Sequence, residues 1–301
     1  MRESHGKCAG AMVLLHGGAG GWDPKSPEAM LRATTALREI ARTGVERLRQ
    51  GADALDVVTE CLQAMETDEQ FNAGKGATLQ ADGVPRLTAA LMDGARQSFS
   101  GVISATYANH PSLLARHLQA WDTRVLTQPG TELLARELGL KVESALTPAR
   151  VKRWTERALQ GGAFCDTVGC LVRTPDRRLV AGTSTGGRGY EYPGRVSDSA
   201  TVAGTYCSAL AGVSATGTGE QIVDDAVAAR LETRRRDGQS LAEASHRCLA
   251  EALERKRAYG WIAHDRDGHW AVAHTTPSMS FVVIGEVEGE VASSLDGTPA
   301  Q

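Results

Sequence analysis

Three threonine-bearing strings stand close together in this sequence. They are Asp166-Thr167-Val168-Gly169, Thr183-Ser184-Thr185-Gly186-Gly187 and Thr216-Gly217-Thr218-Gly219-Glu220. Between the last two lies Gly194-Arg195-Val196-Ser197-Asp198-Ser199. Any one threonine at a strand end fits a structural role. Three of them beside glycines, with an arginine and an aspartate between, point to chemistry. A threonine hydroxyl is a weak nucleophile until a base lies beside it. The α-amine of an N-terminal threonine is such a base, with a pKa of about 7.7–8.0. Thr167 is internal, so this chemistry requires the chain to cut itself between Asp166 and Thr167. Taken alone, Arg195 and Asp198 also fit a structural ion pair.

Two other motifs compete for attention. Gly182-Thr183-Ser184-Thr185-Gly186 matches the GxSxG nucleophile elbow, and His16-Gly17-Gly18 is similar to the oxyanion string of esterases. An elbow needs a helix directly after its serine. The run that follows, GGRGYEYPGRVSDS, cannot start one. Glycines 17, 18, 20 and 21 follow a strand as a dinucleotide loop would, but the GxGxxG spacing and the GK[ST] of a P-loop are both absent. A structural turn is expected there.

The elements around these residues follow from hydrophobic period. The apolar run 11–15 reads as a buried strand ending in a glycine turn. A helix is expected over 27–49, with Pro27 in its first turn, and a second over 53–66. Strands are expected at 77–80, 86–92 and 101–107, followed by a helix near 112–119. The stretch 121–165 has the weakest pattern, with helical turns over 131–138 and 148–159. Strands are expected at 167–173, 179–185, 200–208 and 212–216. Helices follow at 219–236 and 241–259, and strands close the chain at 261–265, 270–274 and 281–285. Helices and strands are segregated, with no βαβ alternation. This implies an α+β fold in which two stacked sheets are covered by helices.

Length allows one large domain or two small ones, and composition agrees with an ordinary soluble globular protein. Of 301 residues, 42% belong to the AVILMFWYC set and 23% are charged, which excludes a disordered chain. Lys plus Arg number 33 and Asp plus Glu 36, a net charge of −3, so no basic field favours nucleic acid. Glycine, at 33 residues, is enriched over the usual share of about 7%. The six cysteines show no metal-ligand spacing. With no signal-peptide pattern and no long apolar run, a cytoplasmic protein without membrane contact is expected.

The motifs LLHGGAG, FNAGKGATL, LMDGARQSFSGVIS, DTVGCLV, AGTSTGG, PGRVSDS, AGTYC and TGTGE, spread over roughly residues 12–290, form a specific set. The chain resembles the plant-type L-asparaginase / isoaspartyl peptidase family of N-terminal nucleophile hydrolases, whose relatives are the aspartylglucosaminidases and taspases. The resemblance implies a four-layer αββα sandwich. It implies one domain, 1–301, made as a precursor that cleaves itself into an α subunit, 1–166, and a β subunit, 167–301. A homodimer of such αβ units is the implied assembly.

By position, the resemblance makes Thr167 the nucleophile and Thr185 the hydroxyl bonded to it. Thr216 and Gly217 become the oxyanion hole. Arg195 takes the substrate α-carboxylate, and Asp198 takes the α-ammonium with help from Gly219. Val196, Ser197 and Thr218 complete the substrate-binding segments. The implied substrates are L-asparagine and β-aspartyl dipeptides. A taspase-like endopeptidase or a glycosylasparagine amidohydrolase is the alternative on the same fold. No cofactor is implied beyond a structural sodium held by backbone carbonyls in the loop that begins at Glu66 and ends at Lys75. The chain departs from the family pattern at Asp166, Ser197, Thr88 and Arg188.

Overall fold

The computed structural model describes residues 2–20, 27–141, 143–160 and 167–295. In chain order it contains β1 (Glu3–Lys7), β2 (Met12–Ala19), α1 (Pro27–Arg49), α2 (Ala54–Thr67), β3 (Leu87–Asp93) and β4 (Ser98–Ala105). Then come α3 (Pro111–Leu118), β5 (Val125–Leu126), α4 (Gly130–Glu137), α5 (Pro148–Gln160), β6 (Val168–Arg173) and β7 (Leu179–Thr185). The remainder is β8 (Thr205–Cys207), β9 (Ala211–Gly217), α6 (Gly219–Asp225), α7 (Val227–Arg236), α8 (Leu241–Glu254), β10 (Tyr259–Asp265), β11 (His269–His274), β12 (Met279–Gly285) and β13 (Gly289–Ser293).

The long helices carry the expected signals. In α1, Ala33, Leu37, Ala41 and Val45 recur every fourth residue and are buried, which lays one apolar stripe on the sheet beneath. Asp53 caps α2 by accepting the Leu55 N–H at 2.9 Å, a contact worth about 1 kcal/mol. Ser240 and Glu243 form a reciprocal capping box on α8.

The strands form two sheets. One has the order β1-β11-β10-β9-β8, the other β13-β12-β2-β6-β7-β3-β4-β5. Helices α1, α2 and α3 pack on the eight-stranded sheet, and α7 and α8 on the five-stranded one. The sheets meet through β9 and β10 against β2, β6 and β7. The four-layer αββα sandwich is thus present.

Each strand sorts its residues by parity, because alternate side chains point to opposite faces. On β6, Val168, Cys170 and Val172 join the helix-side core, while Leu171 lies in the core between the sheets. On β9, Ala211, Val213 and Ala215 face α7 and α8. Odd-numbered Thr167, Thr183 and Thr185 and even-numbered Ser214 and Thr216 are thereby sent to the space between the sheets.

Several expected elements differ. Residues 77–80 are not a strand; Thr78 and Leu79 instead bond to the segment 186–190. The strand expected over 200–208 shrinks to β8, because turns closed by Asp198 O and Thr201 O precede it. The helix expected over 219–236 breaks at Ala226, which is left-handed at φ 47°; Ala228 and Ala229 give their N–H groups to Ala203 and Val202. The last helix stops at Glu254, and Tyr259 already belongs to β10. β1, β5 and β13 are additional. Cys8, Cys61, Cys170, Cys207 and Cys248 are free and buried; Cys165 lies outside the described residues. Among the described residues no helix is long and apolar enough to cross a membrane.

Candidate active site

Thr167 sits just ahead of β6 and is buried. Its Oγ1 donates to Thr185 Oγ1 at 3.2 Å. Thr185 ends the neighbouring strand β7, and its Oγ1 also accepts the Gly187 N–H at 3.0 Å. From the opposite sheet, Thr216 Oγ1 donates to the Thr167 carbonyl at 3.4 Å. The three threonines singled out in the sequence therefore converge. Asp166 and the bond before Thr167 lie outside the described residues. Thr88, on β3, stands directly across from Thr185 in the ladder.

A buried polar chain supports this centre from within the sandwich. His16 Nε2 meets Ser214 Oγ at 3.0 Å, Ser214 Oγ meets Thr183 Oγ1 at 2.7 Å, and Thr205 Oγ1 donates to Thr183 Oγ1 at 2.6 Å. Burial pushes the His16 imidazole down to about 3, against the opposing pull of the Thr167 backbone. His16 is thus neutral at physiological pH. The chain lies on Gly169: a Cβ there would come within 2.1 Å of both His16 Nε2 and Ser214 Oγ.

The segment after Thr216 leads to a charged cradle. Gly219 is packed so closely that a Cβ would lie 2.7 Å from Asp198 Oδ1, 2.8 Å from Arg195 Nη2 and 3.0 Å from Ser197 Oγ. Asp198 is fully buried; Ser197 Oγ donates to its Oδ1 at 2.8 Å, while Oδ2 has no donor among the described residues. Burial raises its carboxyl to about 6, against the lowering effect of Ser197 and Arg195. A buried carboxylate with an open oxygen is suited to a cationic donor.

Arg195 is not in an ion pair with Asp198. Its Nε and Nη2 donate to the two carboxylate oxygens of Glu220 at 2.6 and 2.9 Å. That grip raises the Arg195 pKa despite burial, and in turn lowers Glu220. Glu220 takes one edge of the guanidinium and leaves the end beside Gly219. A second bidentate edge is how arginine serves two carboxylates. Val196 is exposed, Ser197 is buried, and Thr218 is the N-cap residue of α6.

Ser184, the centre of the elbow-like string, faces the other way. Its hydroxyl donates to the buried carboxylate of Glu66 at 2.7 Å, which also accepts from Ser112 Oγ at 2.8 Å. The sequence offered no sign of this pairing except strand parity. The loop from Glu66 to Lys75 then braces the Thr185 region: Asn72 O accepts the Gly186 N–H at 2.9 Å and Asn72 Nδ2 donates to Gly187 O at 2.6 Å. Backbone oxygens crowd within the loop. A Cβ at Gly74 would lie 2.1 Å from Glu66 O and 2.7 Å from Asn109 O, and Arg150 Nη2 donates to Glu69 O at 3.0 Å. Uncharged backbone oxygens are the ligand type a hard cation takes. Among the described residues no group of three or more His, Cys, Asp or Glu could hold a metal ion.

The αββα sandwich is that of the N-terminal nucleophile hydrolases. The chain belongs to the asparaginase family, whose sequence model matches residues 9–292. It is 39% identical to the isoaspartyl peptidase/L-asparaginase of Synechocystis sp., over 95% of this chain and 91% of that one. It is 36% identical to the isoaspartyl peptidase of Salmonella typhimurium, over 89% and 93%. The plant-type L-asparaginase of Pyrococcus horikoshii is 30% identical, over 89% and 94%.

Proposed function

We propose that this chain is a self-processing threonine amidohydrolase that cleaves the side-chain amide of L-asparagine and of β-aspartyl dipeptides. The observation that carries the reading is the Thr167–Thr185 hydroxyl pair, with Thr216 reaching the Thr167 carbonyl from the opposite sheet and the Arg195–Asp198 cradle packed around Gly219, three residues beyond Thr216. In self-processing, Thr167 Oγ attacks the carbonyl of Asp166. An N→O acyl shift gives an ester, which water opens, freeing the Thr167 amine. Subunits of residues 1–166 and 167–301 result.

In turnover, that amine takes the Thr167 hydroxyl proton while Oγ adds to the substrate's side-chain carbonyl. The Thr216 hydroxyl and the Gly217 N–H stabilise the oxyanion. The amine's new proton passes to the departing ammonia or amino acid, and water hydrolyses the acyl-enzyme. Arg195 orients the α-carboxylate and Asp198 the α-ammonium. An endopeptidase substrate has no free α-ammonium for Asp198, which weighs against the taspase-like alternative. Glycosylasparagine carries both α-groups and differs only at its leaving group. A sodium ion would be held by carbonyls of the Glu66 loop and would brace that loop against Thr185, with no part in proton transfer.

The test is a pair of isomers. β-Asp-Leu keeps both α-groups and offers its side-chain carbonyl to Thr167. α-Asp-Leu has lost its α-carboxylate to the peptide bond, so the edge of Arg195 that Glu220 leaves open would lack its carboxylate partner. Free leucine should appear from β-Asp-Leu, together with ammonia from L-asparagine, and none from α-Asp-Leu. Equal rates on the two isomers would remove the reading.

A further inference from the structure

The loop that follows Thr185 carries a cation that the mechanism has not used. Gly187, Gly189 and Tyr190 all have left-handed φ angles, of 86°, 78° and 61°, so the chain turns tightly around Arg188. The turn is closed by Glu191 Oε1, which accepts the Arg188 N–H at 3.1 Å. The Gly187 N–H ties it to Thr185 Oγ1, the acceptor of the Thr167 hydroxyl, and Asn72 holds the Gly187 carbonyl. Arg188 is half-buried. Among the described residues its guanidinium makes no hydrogen bond or ion pair, while the other cations nearby are committed. Arg195 grips Glu220, and Arg86 grips Asp82 and Gln80. The Arg188 charge reaches this same corner, where it adds to the effect of Arg195 in holding Glu220 low.

The two halves of a β-aspartyl dipeptide need two different cations. The aspartyl half places its α-carboxylate on Arg195 and its α-ammonium on Asp198, alongside Gly219 on the segment that leads out of β9. The leaving half carries its own α-carboxylate, two bonds from the scissile nitrogen. Arg188 lies three residues beyond Thr185 at the end of β7, which stands beside β6 in the other sheet. We propose that Arg188 receives the α-carboxylate of the departing amino acid, which makes the enzyme selective for β-aspartyl dipeptides with a free C-terminus. This rests on the amidohydrolase reading above and adds the leaving-group side to it. A half-buried arginine on a braced turn is suited to such a contact, and the charge-assisted pair discriminates strongly against a neutral isostere.

The experiment compares β-Asp-Leu with β-Asp-leucinamide, which differ only in that carboxylate. Both values of kcat/KM are expressed relative to L-asparagine in the same preparation. Wild-type enzyme should favour the free acid by about tenfold or more. In Arg188→Gln the ratio should collapse towards one, chiefly through KM for the free acid, and Arg188→Lys should restore part of it. A wild-type ratio near one, or a ratio that survives Arg188→Gln, overturns the assignment of Arg188 alone. Failure of the wild-type enzyme to hydrolyse both L-asparagine and β-Asp-Leu would instead overturn the amidohydrolase reading. The wild-type comparison stands by itself if a variant does not fold.

Discussion

Acidification should disable substrate capture before it disables the fold, and Asp198 sets where this happens. Its carboxyl is raised to about 6, chiefly by burial, and the ionised form is the one that pairs with a substrate ammonium. The free Thr167 amine, at about 7.7–8.0, must also be deprotonated to act as base. Both groups are needed without their protons, so both losses run in the same direction as pH falls. Between pH 7.7 and 6, log kcat/KM should drop with a slope of one; below pH 6 the slope should become two. From pH 6 to pH 5 the ionised fraction of Asp198 falls from about one half to one eleventh, which multiplies the tenfold loss from the amine into about fiftyfold. With a carboxyl at its ordinary value of 3.8 the same step would cost only about tenfold. Bound substrate pairs with the carboxylate and lowers its pKa, so kcat at saturation should keep a single slope over this range. The assay is ammonia release from L-asparagine at subsaturating and saturating concentrations across pH 4.5–8.5. A tenfold loss between pH 6 and 5, with no second slope until near pH 4, would refute the assignment of Asp198 as the ammonium site.

Arg195→Ala should lower kcat/KM for L-asparagine by roughly 30- to several-thousand-fold, the equivalent of about 2–5 kcal/mol for losing one partner of a desolvated charge pair. Folding should survive because the Glu220 left behind is half exposed; an unchanged kcat/KM would show that Arg195 does not hold the carboxylate. Gly219→Ala puts a methyl group 2.7 Å from Asp198 Oδ1 and 2.8 Å from Arg195 Nη2. It should cost on the order of a hundredfold in kcat/KM by displacing the cradle, with wild-type circular dichroism, and a near-normal kcat/KM would place the substrate elsewhere.

Much of this architecture was readable from local signals. The 3.6-residue period and Pro27 placed α1 at its observed limits, and the strand expected over 179–185 is β7 at the same limits. Short edge strands such as β1 and β13 carry polar, half-exposed residues, so no alternation marks them. The break at Ala226 depends on carbonyls of Val202 and Ala203 from a distant turn, and no local propensity announces it. At the site, residue type and glycine context were enough to single out Thr167, Thr185 and Thr216. Their shared face follows from strand parity once the two sheets are stacked. The partner of Arg195 was not legible. Glu220 is 25 positions away and meets it only because Gly219 lets α6 begin against the Arg195 segment. The buried Glu66–Ser184 bond was hidden for the same reason, joining residues 118 positions apart.

The central claim is that Thr167 becomes a chain terminus and then the nucleophile. Intact mass and N-terminal sequencing of the purified protein, alongside Thr167→Ala, test it most directly. The wild-type chain should resolve under denaturing conditions into pieces of 166 and 301 − 166 = 135 residues, the smaller beginning at Thr167, with activity rising as the pieces appear. Thr167→Ala should remain one inactive chain. A wild-type protein that hydrolyses L-asparagine at full rate while still a single polypeptide would contradict the account.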